Sequence, residues 1–417
     1  MQEDFSVLID PEDLYGIDTS GLLIREEYEP NKFISMSEKL IPNFIRTYKN
    51  ETNKYDDYLN PKKRSKLAKK NQKIEEEREK ECLDFFQVEL PNIKRVIEQA
   101  ELREEWSSII DICDNLTTFY YVSTYWKDLE SILKTSLTAA EQVQNKLAEA
   151  RIRNELARTF RLLGEAEKGI KYGLDSYKIF CSIKELEGEA ALKGEAESSY
   201  NLGYLYRSVG NWEESIKSFE NSLSLFKLCE DFVGEAETLD GLGQVYTKIE
   251  NLKKAEKVLQ ESLKIKKEKV DDQFQISITL NNLGKVYKIK GNLEKAKELF
   301  EESLNIKKQI KDLQGQGVSY NELGVIYRCM KYYTKALEYF EKSLDIKKEV
   351  SSFGTGTVMD NQGQGLTYME KGILYEERGE YEQALINWNN AKDKLNNYSP
   401  EFSRVTNYIK SLKAKME

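Results

Sequence analysis

The sequence predicts an all-α protein: a right-handed superhelical solenoid of about seven helix hairpins, preceded by an N-terminal non-repeat extension. Three observations predict it. The chain repeats itself at a spacing near 40 residues, with key leucines at 116, 156, 202, 242, 283 and 323. Apolar residues within each copy recur at i, i+3, i+4 and i+7, which places one stripe along each of two helices. Six prolines in 417 residues, with 32% charged side chains, suit long helices with polar outer faces.

The first element is an acidic extension over residues 1–60. Its first 31 residues hold nine acidic groups and one arginine, and Pro11, Gly16 and Gly21 interrupt any helix. A short helix is expected from about Lys39 to about Lys49, with Pro42 tolerated in its first turn and Leu40, Ile41, Phe44 and Ile45 on its apolar side. Residues 61–109 form a charged linker helix and a lead-in helix. Its run PKKRSKLAKKNQKIEEEREKE, Pro61 to Glu81, has a basic half that fits a nucleic-acid or nuclear-import patch. A solvated helix, basic first and Glu-rich after, explains it better.

The repeats occupy 110–398. Four copies align directly, each with Leu-Gly, an aromatic three residues after the Gly, a small residue nine later and a large apolar residue four beyond. They are Leu202, Gly203, Tyr206, Ser215 and Phe219; Leu242, Gly243, Tyr246, Ala255 and Leu259; Leu283, Gly284, Tyr287, Ala296 and Phe300; and Leu323, Gly324, Tyr327, Ala336 and Phe340. A later copy has Gly372, Tyr375, Ala384, Trp388 and Ala391, and degenerate copies start around Leu116 and Leu156. The small residues let two helix backbones cross closely. Gly210, Gly291 and Gly379 are expected to turn the chain between paired helices. No single hairpin can bury its apolar face, so the copies must stack. Spacing widens at about Lys184 to Gly194 and at SSFGTGTVMDNQGQG, so both are expected to be hinges or exposed loops. Residues 399–417 form a C-terminal capping helix, its core from Phe402 to Met416, with lysines outward.

Composition narrows the function. The chain has no histidine, which removes the commonest general base and the usual nitrogen ligand for zinc. Five cysteines lie at intervals of 31 residues or more and form no C-x-x-C pair, as in a reduced, cytoplasmic protein. Nothing groups an acid, a base and a nucleophile, so no catalytic residues, cofactor or metal are expected and the chain is read as no enzyme. The net charge of −9 argues against whole-surface attraction to nucleic acid or anionic membrane. The beginning, MQEDFSVLIDPEDLYG, does not read as a signal peptide, and no apolar run nears the length of a membrane helix.

The Leu-Gly-x-x-Tyr, small and Phe spacing resembles the tetratricopeptide repeat. Its usual period is 34 residues, about six fewer than here. HEAT and armadillo repeats share the longer period but lack this spacing. Extended copies with tails such as SLNIKKQIKDLQGQGVSYNELG resemble those of kinesin light chains, of Leu-Gly-Asn-type polarity adaptors and of bacterial signalling proteins. Upstream, Glu89, Leu90, Asn92 and Ile93, followed by Tyr125 and Trp126, resemble the entry to the sensor arm of bacterial signal-transduction ATPases with numerous domains. The P-loop of those ATPases is absent from the sequence.

The tetratricopeptide resemblance implies a concave groove lined by the first helix of each hairpin, where a protein or peptide partner binds. Carried over from the family, the groove positions are Arg151, Asn154, Arg158, Arg161, Tyr200, Tyr204, Arg207, Gln244, Lys248, Asn281, Lys285, Lys288, Asn321 and Arg328. Eight basic residues there face three acids, Glu197, Glu237 and Asp240, which suits an acidic peptide or a free carboxylate. Asparagines at 154, 201, 281, 282 and 321 can donate to and accept from an extended peptide backbone. The expected function is a non-catalytic adaptor or sensor. The alternative is a regulatory subunit gating a separate effector, a protease or nuclease encoded nearby. Two further possibilities are nucleic acid along the groove, and the acidic N-terminal segment lying in it as an internal pseudo-ligand.

Overall fold

The computed structural model describes residues 42, 45–50, 52–53, 72–350, 358–395 and 399–416. Among the described residues there is no strand. The chain is an all-α solenoid of hairpins. A long helix, α1 (Gln72–Leu102), leads into α2 (Trp106–Val122), α3 (Trp126–Gln142), α4 (Lys146–Leu162) and α5 (Ala166–Ser208). Then follow α6 (Trp212–Leu228), α7 (Phe232–Lys248), α8 (Leu252–Ile265), α9 (Gln273–Ile289) and α10 (Leu293–Gln309). The last are α11 (Leu313–Cys329), α12 (Tyr333–Val350), α13 (Val358–Glu377), α14 (Tyr381–Lys394) and α15 (Pro400–Met416). Within a hairpin we call the first helix inner and the second outer; α2 and α3 make the first hairpin, α13 and α14 the last.

The Leu-Gly motif sets the helix crossing. At Gly324 an added Cβ would stand 2.5 Å from the ring of Phe340, and at Gly372 it would stand 2.3 Å from Trp388. Both aromatic side chains are fully buried, so the glycine is the space that the ring occupies. A second device was not anticipated. Ser176, Ser222, Ser262, Ser303 and Ser343 on the outer helices donate to the carbonyls of Ala150, Ala196, Ala236, Ser277 and Gly317 on the inner ones, at 2.7–2.9 Å. All five serines are buried, so each hydroxyl is satisfied without water.

The turns follow one backbone plan. Gly210, Gly291 and Gly379 take φ of +74°, +79° and +77° at the inner-to-outer turns, as their sequence positions predict. Thr124, Glu250 and Lys331 do the same work at φ of 60°, 58° and 65°, without the backbone freedom of glycine. Caps then start the next helix: Asn211, Asn251 and Asn292 accept from the backbone N–H of residues 214, 254 and 295.

One expectation about loops is corrected, and a second is corrected for its described part. The insertion around Lys184 to Gly194 is helical, and α5 is two helices reversing at Gly188 (φ 52°, ψ −120°). Lys184 pairs with Glu195 at 2.9 Å and Ser176 meets Ser198 at 2.9 Å, so the arms run antiparallel and the extra residues prolong both. Of SSFGTGTVMDNQGQG, residues 351–357 lie outside the described ones, and the rest opens α13. Its glycines answer to packing, not looseness: a Cβ on Gly365 would stand 2.7 Å from Leu395.

The two ends of the stack are covered. Residues 45–50 are helical, the described part of the helix expected over Lys39–Lys49. Ile45 and Tyr48 are buried, Tyr48 donates to Glu89 of α1 at 2.7 Å, and Asn115 of α2 donates to Thr52 at 3.1 Å. At the other end α15 buries Val405 and Leu412, and Tyr408 stacks on Trp388 with centroids 5.2 Å apart. No helix among the described residues is long and apolar enough to cross a membrane.

Candidate functional site

Two columns of inner-helix residues run across the repeats: the residue two after the Leu of Leu-Gly, and the residue five after. The first holds Arg158, Tyr204, Gln244 and Lys285; the second holds Tyr121, Arg161, Arg207, Thr247, Lys288 and Arg328. The structure links these columns from repeat to repeat. Arg158 lies over the ring of Tyr121 at 4.1 Å, Arg207 donates to Gln244, and both Arg161 and Arg207 stand over Tyr204, at 5.3 and 4.8 Å. Tyr200 meets Tyr204 edge-on with centroids 5.0 Å apart. Burial pushes the Tyr200 hydroxyl well above its usual range, so it stays protonated and able to donate. Gln244, Thr247, Lys248, Asn282, Lys285 and Ile289 line a groove of about 410 Å³ between α7 and α9.

The asparagines sit deeper than the columns. Asn154, Asn201 and Asn281 are buried, and Asn201 donates to Asn154 at 2.9 Å, which ties α4 to α5. Asn281 Oδ1, Asn321 Oδ1 and Asn282 Nδ2 are buried without a partner, as is Asp240 Oδ1. These four atoms lie on three successive inner helices, α7, α9 and α11.

Acids offset part of the basic charge counted along the sequence. Glu155 pairs with Arg158 at 3.8 Å and accepts from Tyr121 at 3.1 Å. Glu322 takes Lys288 at 2.7 Å and Lys285 at 4.0 Å; against the upward push of burial, these lysines hold its carboxyl below the usual range. Glu370 and Glu377 of α13 both take Arg328, Glu370 at 3.1 Å. Three of these four acids escaped the sequence count for one reason. Glu155, Glu322 and Glu370 fill the slot just before the Leu of Leu-Gly, or its equivalent, where Asn201 and Asn282 also stand. A polar residue recurring in that slot was the available signal. Arg151 and Lys248 are exposed.

Residues 195–268 and 275–349 match the tetratricopeptide repeat family, so these hairpins are tetratricopeptide repeats. No curated protein matches the chain. Among solved structures, aspartyl phosphate phosphatase F from Bacillus subtilis is similar at 10% identity and a TM-score of 0.58, covering 91% of this chain and 97% of its own. The apo form of RapI is similar at 16% identity and a TM-score of 0.50, covering 67% and 97%. A Rap protein complexed with competence and sporulation factor is similar at 12% identity and a TM-score of 0.50, covering 80% and 97%. These likenesses are of fold.

Proposed function

We propose that the tetratricopeptide stack is a non-catalytic adaptor or sensor whose concave face receives a segment of a protein partner. The observation that carries this reading is the pair of side-chain columns, Arg158, Tyr204, Gln244 and Lys285 beside Arg161, Arg207, Thr247 and Lys288, that runs across successive inner helices. Between them the polar side chains of these columns can both donate and accept, and the backbone of an extended segment offers donors and acceptors at intervals. Tyr200, Tyr204, Arg158 and the groove beside Gln244 supply the flanking surface. The Rap protein of like fold that is complexed with competence and sporulation factor is in keeping with it.

The test is capture from native lysate with wild type and with Arg158, Arg161, Lys285 and Lys288 all changed to Glu. A partner lost by the variant, with helical content and melting unchanged, supports recognition in the groove. A partner kept by both places recognition elsewhere and removes the reading.

A further inference from the structure

Two irregularities interrupt the repeat, and they flank one groove. The first is the prolonged hairpin of α5, whose arms reverse at Gly188. The second is a single π turn, Lys266–Val270, that follows α8. From its cap to the left-handed residue at its end, Asn251 to Asp271, this outer helix is one residue longer than Asn211 to Glu230 and Asn292 to Lys311. The π turn takes up that extra residue. Between the two irregularities, Lys193, Cys229, Asp231, Phe232, Val233 and Lys269 line a groove of about 410 Å³ at the turn from α6 to α7. It shares no lining residue with the groove beside Gln244.

This second groove joins apolar side chains to a basic rim. Phe232 and Val233 are exposed, and the ammonium of Lys269 stands 5.5 Å from the centre of the Phe232 ring. Lys193 pairs with Asp231 at 2.6 Å, whereas Lys269 pairs with no acid among the described residues. The α5 tip beside it has the opposite charge. Leu186 projects there, 87% exposed, between Glu185 and Glu187, and among the described residues neither glutamate meets a cation. Past the reversal at Gly188 the chain needs about 7 Å of helix to reach Lys193. Burial, and then the charges of Asp231 and Glu189, push the Cys229 thiol up, so tip and groove share one stretch of surface.

An exposed leucine is ordinary by itself. Here an apolar projection flanked by acids and an apolar cleft edged by lysines lie side by side, which is the arrangement that a two-fold contact between identical chains requires. We propose that two copies of this chain pair through this edge, the α5 tip of each seated in the groove of the other. Leu186 enters against Phe232 and Val233, and Glu185 or Glu187 meets Lys269. The occupant is a second copy because the charge on the tip complements the charge on the groove. Leu228, 68% exposed beside Cys229, adds apolar area for the other copy to cover. The contact is small, so the dimer is weak and forms at micromolar concentration or above. It uses none of the inner-helix columns and does not depend on the adaptor or sensor reading.

Sedimentation of the full chain from micromolar to near-millimolar concentration tests the pairing. The expected result is a monomer–dimer equilibrium in wild type, weakened about tenfold or more by Leu186→Glu, since each dimer buries that leucine twice. The substituted side chains are exposed, and unchanged melting is checked for every variant. A charge swap adds a readout that a folding defect cannot imitate. Glu185→Lys/Glu187→Lys and Lys269→Glu should each dimerise poorly alone. Their mixture should form a heterodimer about as well as wild type pairs with itself, because each tip again meets a groove of opposite sign. A dimer indifferent to Leu186→Glu, or a mixture that fails to pair, overturns the assignment. So does a wild type that stays monomeric throughout, which leaves the groove to another occupant such as the acidic N-terminal segment.

Discussion

Lys307 and Lys347 occupy a slot that phenylalanines fill elsewhere. Four residues after the ladder serine stand Phe180 and Phe226 in two hairpins, then Lys266, Lys307 and Lys347 in the next three. All three lysines are buried. Lys266 meets Asp240, with Thr279 and Gln275 beside it. Among the described residues the Lys307 amine donates to the hydroxyl of Ser319, at 2.9 Å, and the Lys347 amine to Thr367 and the carbonyl of Gly363. Burial pulls both amines down to about 8. Since the unfolded amines titrate near 10.4, the unfolded chain binds more protons between about pH 8 and 10.4. Stability should therefore rise across that window and be flat below it. Lys307→Met should stabilise the fold by about 1–4 kcal/mol at pH 7 and flatten the rise, whereas Lys266→Met should cost about 3–5 kcal/mol by stranding Asp240. Urea titrations at pH 7 and pH 10 check both, and equal destabilisation by the two substitutions would refute the account. None of this was legible beforehand. A Lys-Lys pair near a helix end has the same letters whether it is solvated or threaded between two hairpins.

At the scale of the element, the helices were legible and their connections only partly. The Leu-Gly motif announces itself because packing leaves no alternative to glycine there. Gly324→Ala should cost about 1–3 kcal/mol, because its methyl would meet Phe340, and a melting curve measures it. The turns at Gly210, Gly291 and Gly379 were equally plain. Those at Thr124, Glu250 and Lys331 were not, since nothing in these side chains asks for positive φ; the neighbouring helices impose it. Glu250→Gly should thus stabilise by about 1 kcal/mol, and Asn292→Ala, which removes a cap, should destabilise by about 1 kcal/mol. Equilibrium denaturation separates the two signs. The described part of SSFGTGTVMDNQGQG, residues 358–365, is helical where a hinge or exposed loop was expected, because composition cannot distinguish a glycine that loosens a chain from one that admits a neighbour. The groove's charge was half-legible for a related reason. Its basic residues show along one helix, but Glu322 meets Lys288 from 34 residues away in sequence and Glu370 meets Arg328 from 42.

For the molecule as a whole, the stack is quasi-one-dimensional, each hairpin leaning on its neighbours. Its open end is closed by α15, whose Tyr408 covers Trp388. Removing residues 396–417 should expose that surface, lower the melting temperature and make sedimentation more concentration-dependent; a truncated chain that sediments as the full one does, at the same stability, would argue against a capping role. The lysine slots have one more consequence. Hairpins of a solenoid are usually thought of as interchangeable tiles, and here they are not. The hairpins carrying Phe180 and Phe226 offer an apolar face to the next tile, whereas those carrying Lys266, Lys307 and Lys347 demand a hydroxyl from it. The rings of Phe180 and Phe226 fill the space left by Gly194 and Gly234, and the hairpin after Lys266 carries Gln275 in that position, so a shuffled chain that set either phenylalanine against Gln275 would clash. The order of the tiles is thus written into their seams.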